Sequence, residues 1–158
     1  MTFPVSLNVY DLSGGMAKQM SMAFIGKQID GIWHTGIVVY NKEFFYGGGI
    51  CYDLPAKTPF GTPTKTIELG STEIPEDMFM EMLKDLMPRF TMEAYNLLQH
   101  NCNNFTDECA QLLLGEGIPK DIVDLPKLFL ETPMGQSFAP MIMSMQDGMK
   151  VQSNSLFN

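Results

Sequence analysis

The chain has 158 residues, 45% hydrophobic and 18% charged, with a net charge of −8 and a pI near 4.6. That length suits one domain with a real core, and an acidic chain without a Lys/Arg cluster excludes a nucleic-acid partner, whose binding runs on counterion release. Three cysteines that cannot all pair, no charged leader with an apolar run, and no apolar stretch of the ~20 residues needed to cross a bilayer together predict a protein of the reducing cytoplasm and nucleus, without stable membrane insertion.

Val5 to Tyr10 alternates apolar and polar residues with period two and predicts a first, half-buried strand. Asp11 and Ser13 are candidate caps for a brief helix carrying Met16, Met20 and Phe24 at four-residue spacing. Gly26 and Gly31 punctuate the way into Ile32 to Tyr40, a β-branched run that predicts a central strand with His34 at its start. A tight turn at Asn41-Lys42 leads into Glu43 to Gly47, and the hairpin ends in three glycines. These lack the lysine and the following helix of a phosphate-binding loop.

Residues 51 to 63, with three prolines and little periodicity, predict a surface loop that carries Cys51. Thr64 to Leu69 reads as a strand. A helix from Pro75 to Met87 follows, with Met78, Phe79, Met82, Leu83, Leu86 and Met87 as one apolar stripe facing the sheet. Another helix runs from near Cys102 to Gly115, with Phe105, Cys109, Leu112 and Leu113 inward. Pro126 suits the first position of a helix reaching Thr132, and residues 134 to 146 predict a last, Met-rich helix. The domain is placed at 1–145 and a flexible tail at 146–158.

The chemistry centres on residues 99 to 106. Asn101, Asn103 and Asn104 are cap-forming residues that place Cys102 at an exposed helix start, where the backbone dipole and unpaired amides favour a thiolate. Cys109, two turns deeper among leucines, reads as core. Only His34 and His100 are available as bases. His34 on its strand can face a helix-borne thiol, with Trp33 excluding water, whereas His100 lies in the turn entering the helix and points elsewhere. The backbone N–H of Cys102 is an oxyanion donor by position, with Gln99, Asn101 and Asn103 as candidate side-chain donors or lining groups. No recognisable ligand spacing supports a zinc site, so neither metal nor cofactor is expected.

At these residues the sequence resembles the PPPDE superfamily, and within it the desumoylating isopeptidases. The resemblance runs through Val9-Tyr10-Asp11-Leu12, Gly31-Ile32-Trp33-His34-Thr35, Glu43-Phe44-Phe45, Gly70-Ser71-Thr72-Glu73, Glu93 to Phe105, Ile118-Pro119 and Asp124-Leu125-Pro126, and covers nearly everything to about residue 140. It implies an α+β, circularly permuted papain-like cysteine peptidase fold, a small antiparallel sheet packed with helices. It also implies a Cys102–His34 dyad, a homodimer, and cleavage of the isopeptide bond between lysine and SUMO or another ubiquitin-like modifier. Deubiquitination and removal of S-acyl groups are rival activities for the same dyad. A non-enzymatic rival is an adaptor for binding or export of modified proteins, for which Ile122, Leu125, Leu128 and Leu130 have leucine-rich export spacing, the spacing an amphipathic helix also needs to pack.

Overall fold

A computed structural model describes residues 1–26, 28–144 and 154–155. In chain order the elements are β1 (Phe3–Asp11), α1 (Met16–Ile25), β2 (Trp33–Val39), β3 (Lys42–Gly47), β4 (Gly49–Asp53), β5 (Lys65–Thr72), α2 (Glu76–Leu86), α3 (Cys102–Leu114), α4 (Lys120–Val123), α5 (Leu125–Leu130), α6 (Pro133–Ser144) and the two-residue β6 (Asn154–Ser155). The strands form one sheet in the order β5-β1-β2-β3-β4-β6, and every neighbouring pair is antiparallel. The fold is α+β. No helix among the described residues is long and apolar enough to cross a membrane.

Strand alternation gives the sheet two different faces. Leu7, Val9, Ile37, Val39, Phe44 and Tyr46 project to one side and pack on Phe79 and Leu83 of α2 and on Phe105, Cys109 and Leu113 of α3. The opposite face is polar at its centre. In the β1–β2 register Tyr10 lies across from His34 and Asn8 from Gly36, and Glu43 of β3 joins them with no exposed surface. Its carboxyl group accepts hydrogen bonds from Asn8 Nδ2 (2.7 Å), the Tyr10 hydroxyl (2.6 Å) and the Ala56 amide (2.9 Å). The loop between β4 and β5 therefore covers this face, supplying Ala56, Thr58 and Phe60.

Several expectations need correction. Residues 49–53 are a strand. Ile50 and Tyr52 have strong β propensity, and the glycine run makes a turn so tight that Gly47 pairs with Gly49, whose φ of 92° suits a residue without Cβ. Cys51 is consequently buried rather than on a surface loop. The β2–β3 turn falls one residue early: Val39 pairs with Lys42, and Tyr40 and Asn41 both take positive φ (55° and 59°), as a two-residue type I′ hairpin demands. Asp11 and Ser13 brace the entry to α1 without being its N-cap, which is Gly15. Asp11 accepts from the amides of Ser13, Gly15 and Ile32, and the Ser13 hydroxyl accepts from the Ala17 amide.

On α2 the buried stripe is narrower than expected. Phe79, Leu83 and Leu86 are buried, while Met78 and Met87 are 51% and 40% exposed on its flanks. Of the export-spaced residues, Ile122 is core and Leu128 is exposed. The expected tail at 146–158 lies outside the described residues apart from Asn154 and Ser155, which pair with Tyr52 and Cys51.

Gly36 is required by this packing, because a Cβ there would overlap the buried Glu43 carboxyl group, itself held by three donors. Gly36→Ala is expected to destabilise the protein by about 1–3 kcal/mol through overpacking, measured as a lower urea midpoint at unchanged m-value.

Candidate active site

The site begins with a helix start. Asn101 caps α3: its side-chain oxygen accepts from the Asn103 and Asn104 amides (2.9 and 3.3 Å), and the Asn104 side chain accepts from the Asn101 amide (2.8 Å). This reciprocal box satisfies orphan donors of the first turn and places Cys102 as the first helical residue. A five-residue loop closed by Asn96–His100 backbone bonds (2.9 and 2.8 Å) leads into it.

Asn103 then ties α3 to β2. Its Nδ2 donates to the Trp33 carbonyl (2.9 Å), its Oδ1 accepts from the Thr35 hydroxyl (2.7 Å), and the Thr35 hydroxyl also meets that of Thr106 (2.6 Å). The start of β2 is thereby fixed against the first turn of α3. A groove lined by Ile29, Ile32, Trp33, Leu97, Leu98, Leu125 and Phe129 runs past Asn101, Cys102 and Asn103, and its walls are almost wholly apolar.

Cys102 is 1% exposed, which corrects the expectation of an exposed helix start. Helix α3 packs flat on the sheet, so its first turn is covered by β2 and by the loop that carries Tyr95. The thiol lies within reach of the Tyr95 hydroxyl (4.0 Å) and of Asn103 Oδ1 (3.8 Å). Burial pushes its pKa up to about 11. Hydrogen bonding from Thr35, Tyr95, Asn103 and its own amide works in the opposite direction and is outweighed.

His34 is fully buried. Its ring stacks on Phe60 (centroids 3.6 Å apart) with Tyr10 and Phe45 at 5.4 and 6.1 Å, and among the described residues neither ring nitrogen has a hydrogen-bond partner. Desolvation lowers its pKa to about 3. Both groups are thus neutral in this conformation, and no hydrogen bond joins them. The reason lies in strand alternation. Thr35 projects toward α3, and His34, one residue earlier, joins the opposite layer.

The remaining candidates separate clearly. The side-chain amides of Asn101 and Asn103 are committed, the first donating to the Leu97 carbonyl (2.8 Å) and the second to Trp33. Gln99 is exposed and Trp33 half-buried in the groove wall. His100 stacks on Phe90 (4.6 Å), and its Nε2 meets the Arg89 carbonyl (2.7 Å). Sequence reasoning missed Thr35 and Tyr95 as site residues. Thr35 looks like one more β-branched strand residue, and Tyr95 sits seven positions before the cysteine with no periodic link to it.

A cysteine opening a capped helix, laid across an antiparallel sheet beside an apolar groove, is an arrangement that a cysteine hydrolase can use. The family model of the PPPDE putative peptidase domain matches residues 3–143. The chain belongs to the PPPDE peptidase family and is a hydrolase of the cysteine peptidase/isopeptidase class. It is 49% identical over 146 residues to desumoylating isopeptidase 1 of Homo sapiens, covering 91% of this chain and 87% of that protein. Its identity to desumoylating isopeptidase 1 of Xenopus laevis is 47% over 144 residues, covering 90% and 85%. The DeSI-like protein sdu1 of Schizosaccharomyces pombe is 30% identical over 140 residues, covering 82% and 67%.

The burial of His34 has a measurable consequence. Its folded pKa of about 3 lies below the ordinary 6.5, so between these values the unfolded chain binds a proton that the folded one excludes. Stability then falls as pH drops through that window, by at most about 1.4 kcal/mol per pH unit for one proton. Urea unfolding of His34→Phe, which keeps an aromatic ring on Phe60, should lack this part. The stability difference between variant and parent should be constant above pH 6.5 and change steadily below it; a constant difference down to pH 4 would contradict the burial.

Proposed function

We propose that the protein is a cysteine isopeptidase that releases a ubiquitin-like modifier, SUMO in the first instance, from lysine side chains through Cys102 and His34. The observation that carries this reading is Cys102 itself, the first residue of a capped helix whose initial turn is bound to the strand bearing His34. The desumoylating isopeptidase 1 proteins, aligned over nine-tenths of the chain, supply the substrate class. The chain order, histidine strand before cysteine helix, accords with a permuted papain-like fold. A homodimer acting in the cytoplasm and nucleus belongs to the same proposal.

In the reaction, Cys102 Sγ bonds to the carbonyl carbon of the modifier's C-terminal glycine. The thiol proton passes to His34, and the carbonyl π electrons move to oxygen. Collapse restores the carbonyl, breaks the C–N bond and releases the lysine amine with the proton from His34. Water attacks the thioester in turn, giving a proton to His34 that returns to the departing Cys102 sulfur. These transfers need His34 and Cys102 on one side of the sheet, so in this proposal the start of β2 rearranges from the conformation described and releases His34 from the Phe60 stack; the neutral imidazole is the form that accepts a proton. The Cys102 N–H, at a helix position without an intrahelical acceptor, is one oxyanion donor.

The groove's apolar walls favour a second reading, hydrolysis of fatty-acyl thioesters by the same two residues. Turnover of SUMO–lysine conjugates compared with S-acyl peptides separates them, and activity on the latter alone would remove the isopeptidase reading. For the main proposal, Cys102→Ala should lose at least ~10⁴-fold in conjugate cleavage and His34→Ala about 10²–10⁴-fold. Full activity in Cys102→Ala would overturn the assignment.

A further inference from the structure

We propose that Tyr95 is a catalytic residue whose phenol hydroxyl donates, beside the Cys102 backbone amide, to the oxyanion formed when Cys102 attacks a carbonyl. This rests on the reading of Cys102 as the nucleophile and adds the missing side-chain donor to it. The asparagines at the helix start cannot serve in the conformation seen. Asn101 Nδ2 is bound to the Leu97 carbonyl and Asn103 Nδ2 to the Trp33 carbonyl, and each bond holds the architecture of the site.

Tyr95 is differently placed. It is 2% exposed, and its ring packs against Tyr46 with centroids 5.0 Å apart. The closed loop at Asn96–His100 carries the chain from Tyr95 to Cys102. Its hydroxyl points at the thiol, and among the described residues it donates to no oxygen. A buried hydroxyl without an oxygen acceptor forgoes a good hydrogen bond, and at 4.0 Å its contact with the sulfur is a long one. That separation fits the reaction better than it fits the resting thiol. Once the sulfur bonds to a carbonyl carbon, the oxygen on that carbon stands between the two groups, where a phenol 4.0 Å from sulfur can reach it at about 2.7–3.1 Å, the distance an oxyanion donor needs. Burial also holds the phenol above its usual pKa range, so it stays a donor throughout the working pH range and gives up no proton in the cycle.

Tyr95→Phe tests this, since it removes the hydroxyl and leaves the ring on Tyr46. With a SUMO–lysine conjugate, kcat should fall ~10²–10³-fold with little change in KM. Alkylation of Cys102 by iodoacetamide should fall no more than a few-fold, the part owed to the lost Tyr95 hydrogen bond to sulfur, because displacement at a saturated carbon forms no oxyanion, and this also reports an intact fold. A parallel loss of alkylation and turnover would assign Tyr95 to positioning the thiol and overturn the proposal, as would unchanged turnover in an active parent. A parent inert toward modifier conjugates would count against the isopeptidase reading alone. Tyr95 is then decided with the aldehyde acetyl-Gly-glycinal, whose hemithioacetal joins Cys102 sulfur to the aldehyde carbon and leaves an oxygen in the same place. Its dissociation constant should rise at least ~10-fold in Tyr95→Phe; equal affinity in the two proteins would overturn the proposal.

Discussion

The structure depends on one side chain, the amide of Asn103. It uses its nitrogen on the Trp33 carbonyl and its oxygen on the Thr35 hydroxyl, and so fastens the first turn of α3 to the first residues of β2 across nearly seventy positions of sequence. The bond to Thr35 is buried and the bond to Trp33 partly so, and an unpaired amide in such surroundings would be expensive. Every other feature of the site follows from that union. The capping box at Asn101 sets where the helix starts, Asn103 sets which strand that start touches, and Cys102 between them has no freedom to move independently.

The sheet then separates two environments. Toward the helices it is apolar, and the hydroxyls of Thr35 and Thr106 find one another at its edge. Away from the helices it buries a carboxyl group, Glu43, with three donors around it. A buried acid satisfied by an asparagine, a tyrosine and a backbone amide avoids the worst of the desolvation penalty, but it demands space, which Gly36 provides. His34 shares this layer, so the imidazole's surroundings are set by the loop that covers Glu43 and delivers Phe60.

The electrostatics of Cys102 show two general effects in opposition. A helix N-terminus and several backbone donors favour a thiolate, while removal from water disfavours any charge. Here desolvation prevails, for the thiol and for the imidazole alike. A site of this kind rests with its reactive groups neutral. In the proposed reaction the sulfur acquires charge only as its proton leaves, which places the demand for stabilisation on donors that face the reaction, the role proposed for the phenol of Tyr95.

Much of this was legible in the chain. Period-two alternation in Val5 to Tyr10 and the β-branched run around Ile37 identified strands, the apolar spacing from Met78 to Met87 identified a helix, though with a wider inner face than the one buried, and the asparagines before Phe105 marked a helix start with a cysteine in its mouth, because these are local matters of periodicity and capping. The family resemblance, too, resided in short stretches whose order is a property of sequence. Tertiary structure alone decided the rest. Cys51 became a strand residue because a neighbouring strand was available to pair with it, and Cys102 became buried because α3 lies flat on the sheet. His34 went to the far layer because Thr35, and not His34, met Asn103. Tyr95 came to face the thiol through a loop with no periodicity to read. Burial and side-chain direction at such points depend on what covers each layer, and the covering residues lie too far along the chain for any local pattern to name them.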